Sequence, residues 1–291
     1  MNAFDSVSAL LRDCDDSGLP LWEYIMTVSA RESGISPEES LEKMRLRLEA
    51  MREADAGYCA SLRSRSGLSG GDGELMRSRA LSGQAISGGF VGEIISAALR
   101  MGECNACMHR IVAAPTAGSC GVIPAVLLPY ARQFGIDDRK LIEALYITAG
   151  FGAVIASRAS ISGAEAGCQA EIGSAAAMAA AALVYLHGGS KEQMAHAVAI
   201  ALKNMMGLVC DPVAGLVEVP CVKRNAAGAM NALSAAEMAL AGIESRIPAD
   251  EVIDAMRVVG HAMPEALRET GNGGIAASPT ARAFTKEFYG K

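Results

Sequence analysis

Apolar positions along this chain recur at three- and four-residue intervals, while alternating strand patterns are scarce; the pattern predicts helices joined by short loops. Ser36-Pro37-Glu38-Glu39 reads as a capping box with proline at the first helical position, opening an amphipathic helix through Leu41, Met44, Leu48 and Met51. Residues 138–157 predict a helix with one apolar face. Residues 169–186 are apolar nearly all round, which predicts a buried, alanine-rich helix. Ser190-Lys191-Glu192-Gln193 is a second capping box, starting a helix through Met206. Residues 225–242 predict a further small-residue helix, and residues 249–260 an amphipathic one. The run from Ser64 to Gly73 has loop composition. It marks a boundary between a helical segment, 1–65, and a main body, 66–291, with one continuous domain over 1–291 as the alternative. No internal repeat is present.

Composition sharpens this picture. Half of the 291 residues are hydrophobic, yet only 4% are aromatic, so the core must be built from Ala, Val, Ile, Leu and Met in closely packed helices. The net charge of −6 is spread over interspersed acids and bases, with no footprint for nucleic acid or an anionic membrane. The N-terminus carries acids where a signal peptide needs a basic start. No segment reaches the roughly 18–20 apolar residues that span a bilayer; the nearest candidate runs from Ile172 to Leu186. These features predict a cytoplasmic protein, whose eight cysteines stay reduced. Most of the eight read as small packed hydrophobes.

Three cysteines sit in unusual contexts. Cys168 lies in Gly163-Ala164-Glu165-Ala166-Gly167-Cys168-Gln169-Ala170-Glu171, at the start of the alanine-rich helix. Cys210 lies in Gly207-Leu208-Val209-Cys210-Asp211-Pro212, after a helix, and Cys221 in Glu218-Val219-Pro220-Cys221-Val222-Lys223-Arg224-Asn225, before the next. Pro212 and Pro220 stiffen the chain beside two of these thiols, and a metal site needs ligands positioned in advance. Their wide spacing is unlike the compact runs of ferredoxins, so spacing alone leaves packed hydrophobes as the alternative. Cys104-Asn105-Ala106-Cys107 forms a C-x-x-C, but with no second pair and no surrounding βαβ pattern it reads as a helical coincidence. The loop Ala113-Ala114-Pro115-Thr116-Ala117-Gly118-Ser119-Cys120-Gly121 is small, hydroxyl-bearing and glycine-punctuated. Backbone N–H groups at such a helix entry suit an anion such as a carboxylate; a tight turn with geometric glycines is the alternative.

The stretches AAPTAGSCGVIPAVL, SGAEAGCQAEIGSA, MGLVCDPVAGLVEVPCVKRNAAGAMNA and ETGNGGIAASP together resemble the alpha subunit of iron–sulfur L-serine dehydratases over nearly the whole chain beyond the Gly-rich break. The resemblance implies an all-α, predominantly helical catalytic domain with Gly/Pro-rich loops carrying the ligands of a [4Fe–4S] cluster. It assigns those ligands to Cys168, Cys210 and Cys221. It implies substrate binding at Thr116, Ala117, Gly118 and Ser119. Arg224 and Asn225, just after Cys221, are candidate polar contacts near the cluster, with a helix start of exposed charge as the alternative. It further implies deamination of L-serine to pyruvate and ammonia, with roles in amino-acid degradation and gluconeogenesis, and an oligomer containing a beta (regulatory) subunit. The chain begins without the regulatory domain of single-chain members, and ends Phe284-Thr285-Lys286-Glu287-Phe288-Tyr289-Gly290-Lys291, without the terminal cysteine of some. None of His109, His187, His196 and His261 matches a family motif for the general base, so the expectation is a base on the partner chain. L-Cysteine desulfidation and a non-catalytic iron–sulfur redox sensor are the competing readings. Pyridoxal-phosphate chemistry is disfavoured, because no lysine is paired with a phosphate-cradling glycine loop.

Overall fold

The computed structural model describes residues 4–290. It contains thirteen α-helices and, among the described residues, no β-strand, as the periodicity predicts. The helices are α1 (Val7–Ser17), α2 (Leu21–Ser33), α3 (Pro37–Ala56), α4 (Asp72–Leu81), α5 (Gly88–Ala106), α6 (Val122–Phe134), α7 (Asp138–Arg158), α8 (Gly163–Ala166), α9 (Ser174–Leu186), α10 (Lys191–Met205), α11 (Cys221–Leu240), α12 (Ala249–Ala262) and α13 (Pro279–Tyr289).

Local chemistry sets many of the ends. At α10 both halves of the capping box form: the Gln193 N–H donates to Ser190 Oγ, and Gln193 Oε1 accepts from the Ser190 N–H. At α3 only the Ser36 half forms, because the Glu39 carboxylate is drawn to Lys43 at 2.8 Å, one turn on. Glycine in the left-handed conformation closes α1, α2, α6 and α13.

Helix α9 lies at the centre, and twelve of its thirteen residues are buried. Helices α6, α7, α10 and α11 pack around it, and α5 packs on α6 and α11. The core runs without interruption from Phe4 and Val7 to Met256. Small residues set the spacing. A Cβ on Gly228 of α11 would stand 2.8 Å from Ile172 and 3.0 Å from Val122. A Cβ on Gly102 of α5 would stand 3.1 Å from Cα of Val222. Helix axes approach this closely only where the side chain is hydrogen. Two helices are long and apolar enough to cross a bilayer, Asp138–Arg158 and Gln169–Leu186, which corrects the expectation that none is; 67% and 89% of their most apolar windows are buried inside the fold. The first matches the expected 138–157 to within one residue, and the second gains its length from a π-helical turn, Gln169–Gly173, that feeds into α9.

The expected break between Ser64 and Gly73 is an ordered loop. The Ser64 and Ser66 hydroxyls donate to Glu218 Oε2 at 2.6 and 2.8 Å. The loop is therefore fastened to the segment that leads into Cys221.

Candidate active site

Three non-adjacent pieces of chain converge beside the N-terminal end of α11. Cys168 enters the π turn, Cys210 lies in extended backbone, and Cys221 is the first residue of α11. All three are buried. Each local backbone is fixed by long-range bonds. Gln169, fully buried, donates its backbone N–H to Leu208 O and its side-chain amide to Met256 O, and accepts from the Gly207 N–H. Cys210 donates to Leu267 O at 2.9 Å and accepts from Glu269 N–H at 2.7 Å.

Their electrostatics show that the three thiols share one environment. Burial pushes Cys168 up to about 11 and Cys221 up to about 12, and it raises Cys210 as well. A charge on Cys168 raises both other thiols, and a charge on Cys221 raises Cys210 further. The positive charge of Arg224 opposes this at Cys168 and at Cys221. Arg224 is itself anchored by Val209 O at 2.8 Å and Asp211 Oδ1 at 2.9 Å.

The loop at Thr116–Ser119 stands against the thiols through Glu171. The Thr116 hydroxyl donates to Glu171 Oε1 at 2.7 Å, and the Cys210 thiol points to Glu171 Oε2 at 3.8 Å. Burial is the largest influence on Glu171 and raises its pKa. Glycine makes room for this carboxylate: a Cβ on Gly163 would stand 2.7 Å from Oε2 and 3.0 Å from Cys210 Sγ, and one on Gly118 would stand 3.2 Å from Oε1. Glu171 lies in the SGAEAGCQAEIGSA stretch, where sequence alone assigns it no role. A single acid three residues after a cysteine, on an otherwise apolar helix, was the available signal.

The other expected residues separate into two groups. Thr116 and Gly118 face Glu171, and Arg224 faces the thiols. Ser119 is fully buried and holds the turn, with Oγ 3.2 Å from Thr116 Oγ1 and 3.3 Å from Thr116 N. Ala117 accepts from the Asn105 amide through its carbonyl. Asn225 spends its side chain on backbone: Oδ1 accepts from the Gly121 N–H at 2.8 Å, and Nδ2 donates to Gly118 O and Cys221 O at 2.8 and 2.9 Å. It welds the loop to α11.

Cys104 and Cys107 lie elsewhere, lining a small cavity with Tyr58, Cys59, Glu103 and His109. Of the other imidazoles, His187 Nδ1 pairs with the Tyr130 hydroxyl, His196 Nδ1 accepts from Ser245 N–H, and His261 is exposed on α12.

Among the described residues, no three Cys, His, Asp or Glu side chains stand close enough to clasp one metal ion. A polynuclear cluster makes a different demand, because each thiolate binds its own iron and the sulfurs stay apart. Three buried thiols on rigid backbone with a cation beside them fit that demand: the donors are soft, and Arg224 offsets the charge of deprotonated sulfur.

The family described as serine dehydratase alpha chain matches residues 16–276. The chain is 47% identical over 287 residues to a probable L-serine dehydratase alpha chain of Bacillus subtilis (strain 168), covering 99% of this chain and 96% of that one. It is 41% identical over 276 residues to the L-serine dehydratase alpha chain of Peptoniphilus asaccharolyticus, covering 94% of each. An L-serine dehydratase of Escherichia coli (strain K12) is 45% identical over 181 residues, 62% of this chain and 40% of that protein.

Proposed function

The chain belongs to the serine dehydratase alpha chain family, and on that premise we propose that it is the catalytic chain of a cytoplasmic L-serine dehydratase working with a beta subunit. The observation that carries this is the meeting of three buried thiols, Arg224 and the Glu171–Thr116 pair at one place. Serine loses its Cα proton and its hydroxyl as water, leaving aminoacrylate. That species tautomerises to the imine, and a second water releases pyruvate and ammonia.

A [4Fe–4S] cluster on Cys168, Cys210 and Cys221 would supply a Lewis acid for the departing hydroxyl. The protein's own groups do the rest. The turn at Thr116–Gly118 receives the substrate carboxylate at the entry to α6, since the N–H groups of Ser119, Cys120, Gly121 and Val122 are already engaged within the protein. Glu171 fixes the Thr116 hydroxyl in place, and Asn225 fixes the loop to the helix that begins with Cys221. Arg224 keeps positive charge beside the thiols, favouring their ionised, ligating form. The general base is assigned to the beta subunit. What supports this is the engagement of His187 and His196 with partners outside the site.

The test is anaerobic purification, iron and sulfide analysis, and pyruvate assays with and without a beta subunit. About four irons per chain and pyruvate from L-serine are expected. Iron-free protein that makes pyruvate with added pyridoxal phosphate would overturn the reading. Sulfide from L-cysteine at a higher kcat/KM than pyruvate from L-serine would replace it with desulfidation.

A further inference from the structure

An amino acid brings three polar groups to a site, and the residues above account for two: a carboxylate at the Thr116 loop and a leaving hydroxyl. The ammonium needs a negative charge of its own. Three carboxylates surround the thiols. Asp211 is engaged on both oxygens, by Arg224 and by the Ile275 N–H at 2.7 Å. Glu171 is engaged by the Thr116 hydroxyl and the Cys210 thiol. Glu269 is exposed, and among the described residues no group pairs with its carboxylate.

The placement of Glu269 is specific. Its N–H donates to the Cys210 carbonyl at 2.7 Å, and the Cys210 N–H donates to Leu267 O at 2.9 Å. The two strands of backbone are thereby bridged. The next segment is held as tightly, since Gly274 lies against Asp211 so closely that a Cβ would stand 2.2 Å from Oδ2. Glu269 also adopts φ 65°, a left-handed conformation that a side chain enters at a cost of about 1–2 kcal/mol. Its negative charge bears on both Glu171 and Cys210. Thr116, Glu171 and Cys210 are joined side chain to side chain, and Glu269 is attached to Cys210 through its backbone N–H.

We propose that Glu269 is the residue that receives the substrate ammonium, and so selects an amino acid over the corresponding hydroxy acid. The inference rests on the dehydratase reading. The carboxylate stands at the solvent side, where an ion pair in one fixed geometry gives discrimination of up to about fivefold.

The experiment compares L-serine with 3-hydroxypropanoate, the same molecule without its amino group, on the complete anaerobic enzyme with its beta subunit. Binding is followed by calorimetry and turnover by pyruvate. The wild type is expected to bind L-serine about fivefold more tightly. Glu269→Gln should bring the two ligands to within about twofold by weakening only L-serine, and should raise KM for L-serine more than it lowers kcat. Glu269→Gly, which fits the left-handed backbone, should do the same, which separates the lost charge from a misfolded loop. An active wild type whose preference survives both substitutions overturns the role of Glu269 and leaves the dehydratase reading standing. A wild type that makes no pyruvate and binds neither ligand sinks both.

Discussion

Asn225 offers the sharpest test of how the substrate loop is held. It is 1% exposed, and its amide ties Gly121 N–H, Gly118 O and Cys221 O together. In Asn225→Ala the buried Gly121 N–H and the part-buried Gly118 carbonyl lose their partners. At about 1–3 kcal/mol for each orphaned group, the loss is roughly 2–5 kcal/mol. For a chain of this length that lowers Tm by roughly 3–8 °C. Asn225→Asp keeps the acceptor for Gly121 but turns a carboxylate oxygen toward two carbonyls. At pH 7 it should be the less stable of the two. Its carboxyl would have a folded-state pKa raised above the unfolded value, so stability should return as pH falls and disappear as pH rises through the folded pKa. Urea and thermal melts of both variants at pH 5 and 7, with KM for L-serine, make the assay. KM should rise in both, because Thr116–Ser119 sits on the loop that comes loose. An Asn225→Ala protein within about 1 kcal/mol of wild type with unchanged KM would refute the argument, as would an Asp variant more stable than the Ala variant at pH 7.

Three further outcomes follow from the same geometry. Replacing Cys168, Cys210 or Cys221 by Ser should remove the brown iron–sulfur absorbance, whereas Cys104→Ser and Cys107→Ser, which lie in the cavity with Tyr58 and His109, should keep the iron; colourless Cys104 and Cys107 variants would disprove the ligand set. Burial raises Cys104 to about 11 and Cys120 to about 12, so these thiols stay protonated in the fold while ionising in the unfolded chain, and stability should fall by about 1.4 kcal/mol per pH unit per thiol above pH ~9; Cys120→Ala should flatten that slope in alkaline urea melts, and an unchanged slope contradicts it. Gly274→Ala drives a Cβ into Asp211 and should cost at least about 2 kcal/mol and tenfold in kcat/KM, while Gly271→Ala, with φ 68° but no atom nearer than 3.6 Å, should cost only the backbone strain of about 1 kcal/mol; equal effects in the two would remove the close-approach explanation.

Which parts of this architecture were legible in the sequence follows from the range of the forces involved. Helices with local caps were readable because their determinants lie within four residues: Ser190 and Gln193 form the predicted reciprocal pair, and the apolar run after Gly173 becomes the buried α9. The fate of the Glu39 side chain was not readable, because its competition between Ser36 and Lys43 turns on rotamers. The π turn was invisible too, since its cause lies outside the segment: Gln169 is pulled by Met256 and Gly207, 87 and 38 residues away. The same division runs through the site. Family motifs pointed to the three thiols and the Thr116 loop, but not to what Asn225 does, because a polar residue after a cysteine reads alike whether it faces a ligand or a backbone 104 residues off. Glu171 and Glu269 were hidden for the opposite reason, as charged residues whose neighbours in sequence are unremarkable and whose roles arise from the thiols brought beside them. Local chemistry thus specifies the helices, while the site depends on side chains such as Gln169, Asn225 and Glu218 that bind distant backbone or hydroxyl groups and hold the loops in register. In such a fold a substitution at one of these three should disturb substrate binding with little change in helix content, and a substitution at a helix cap should do the reverse.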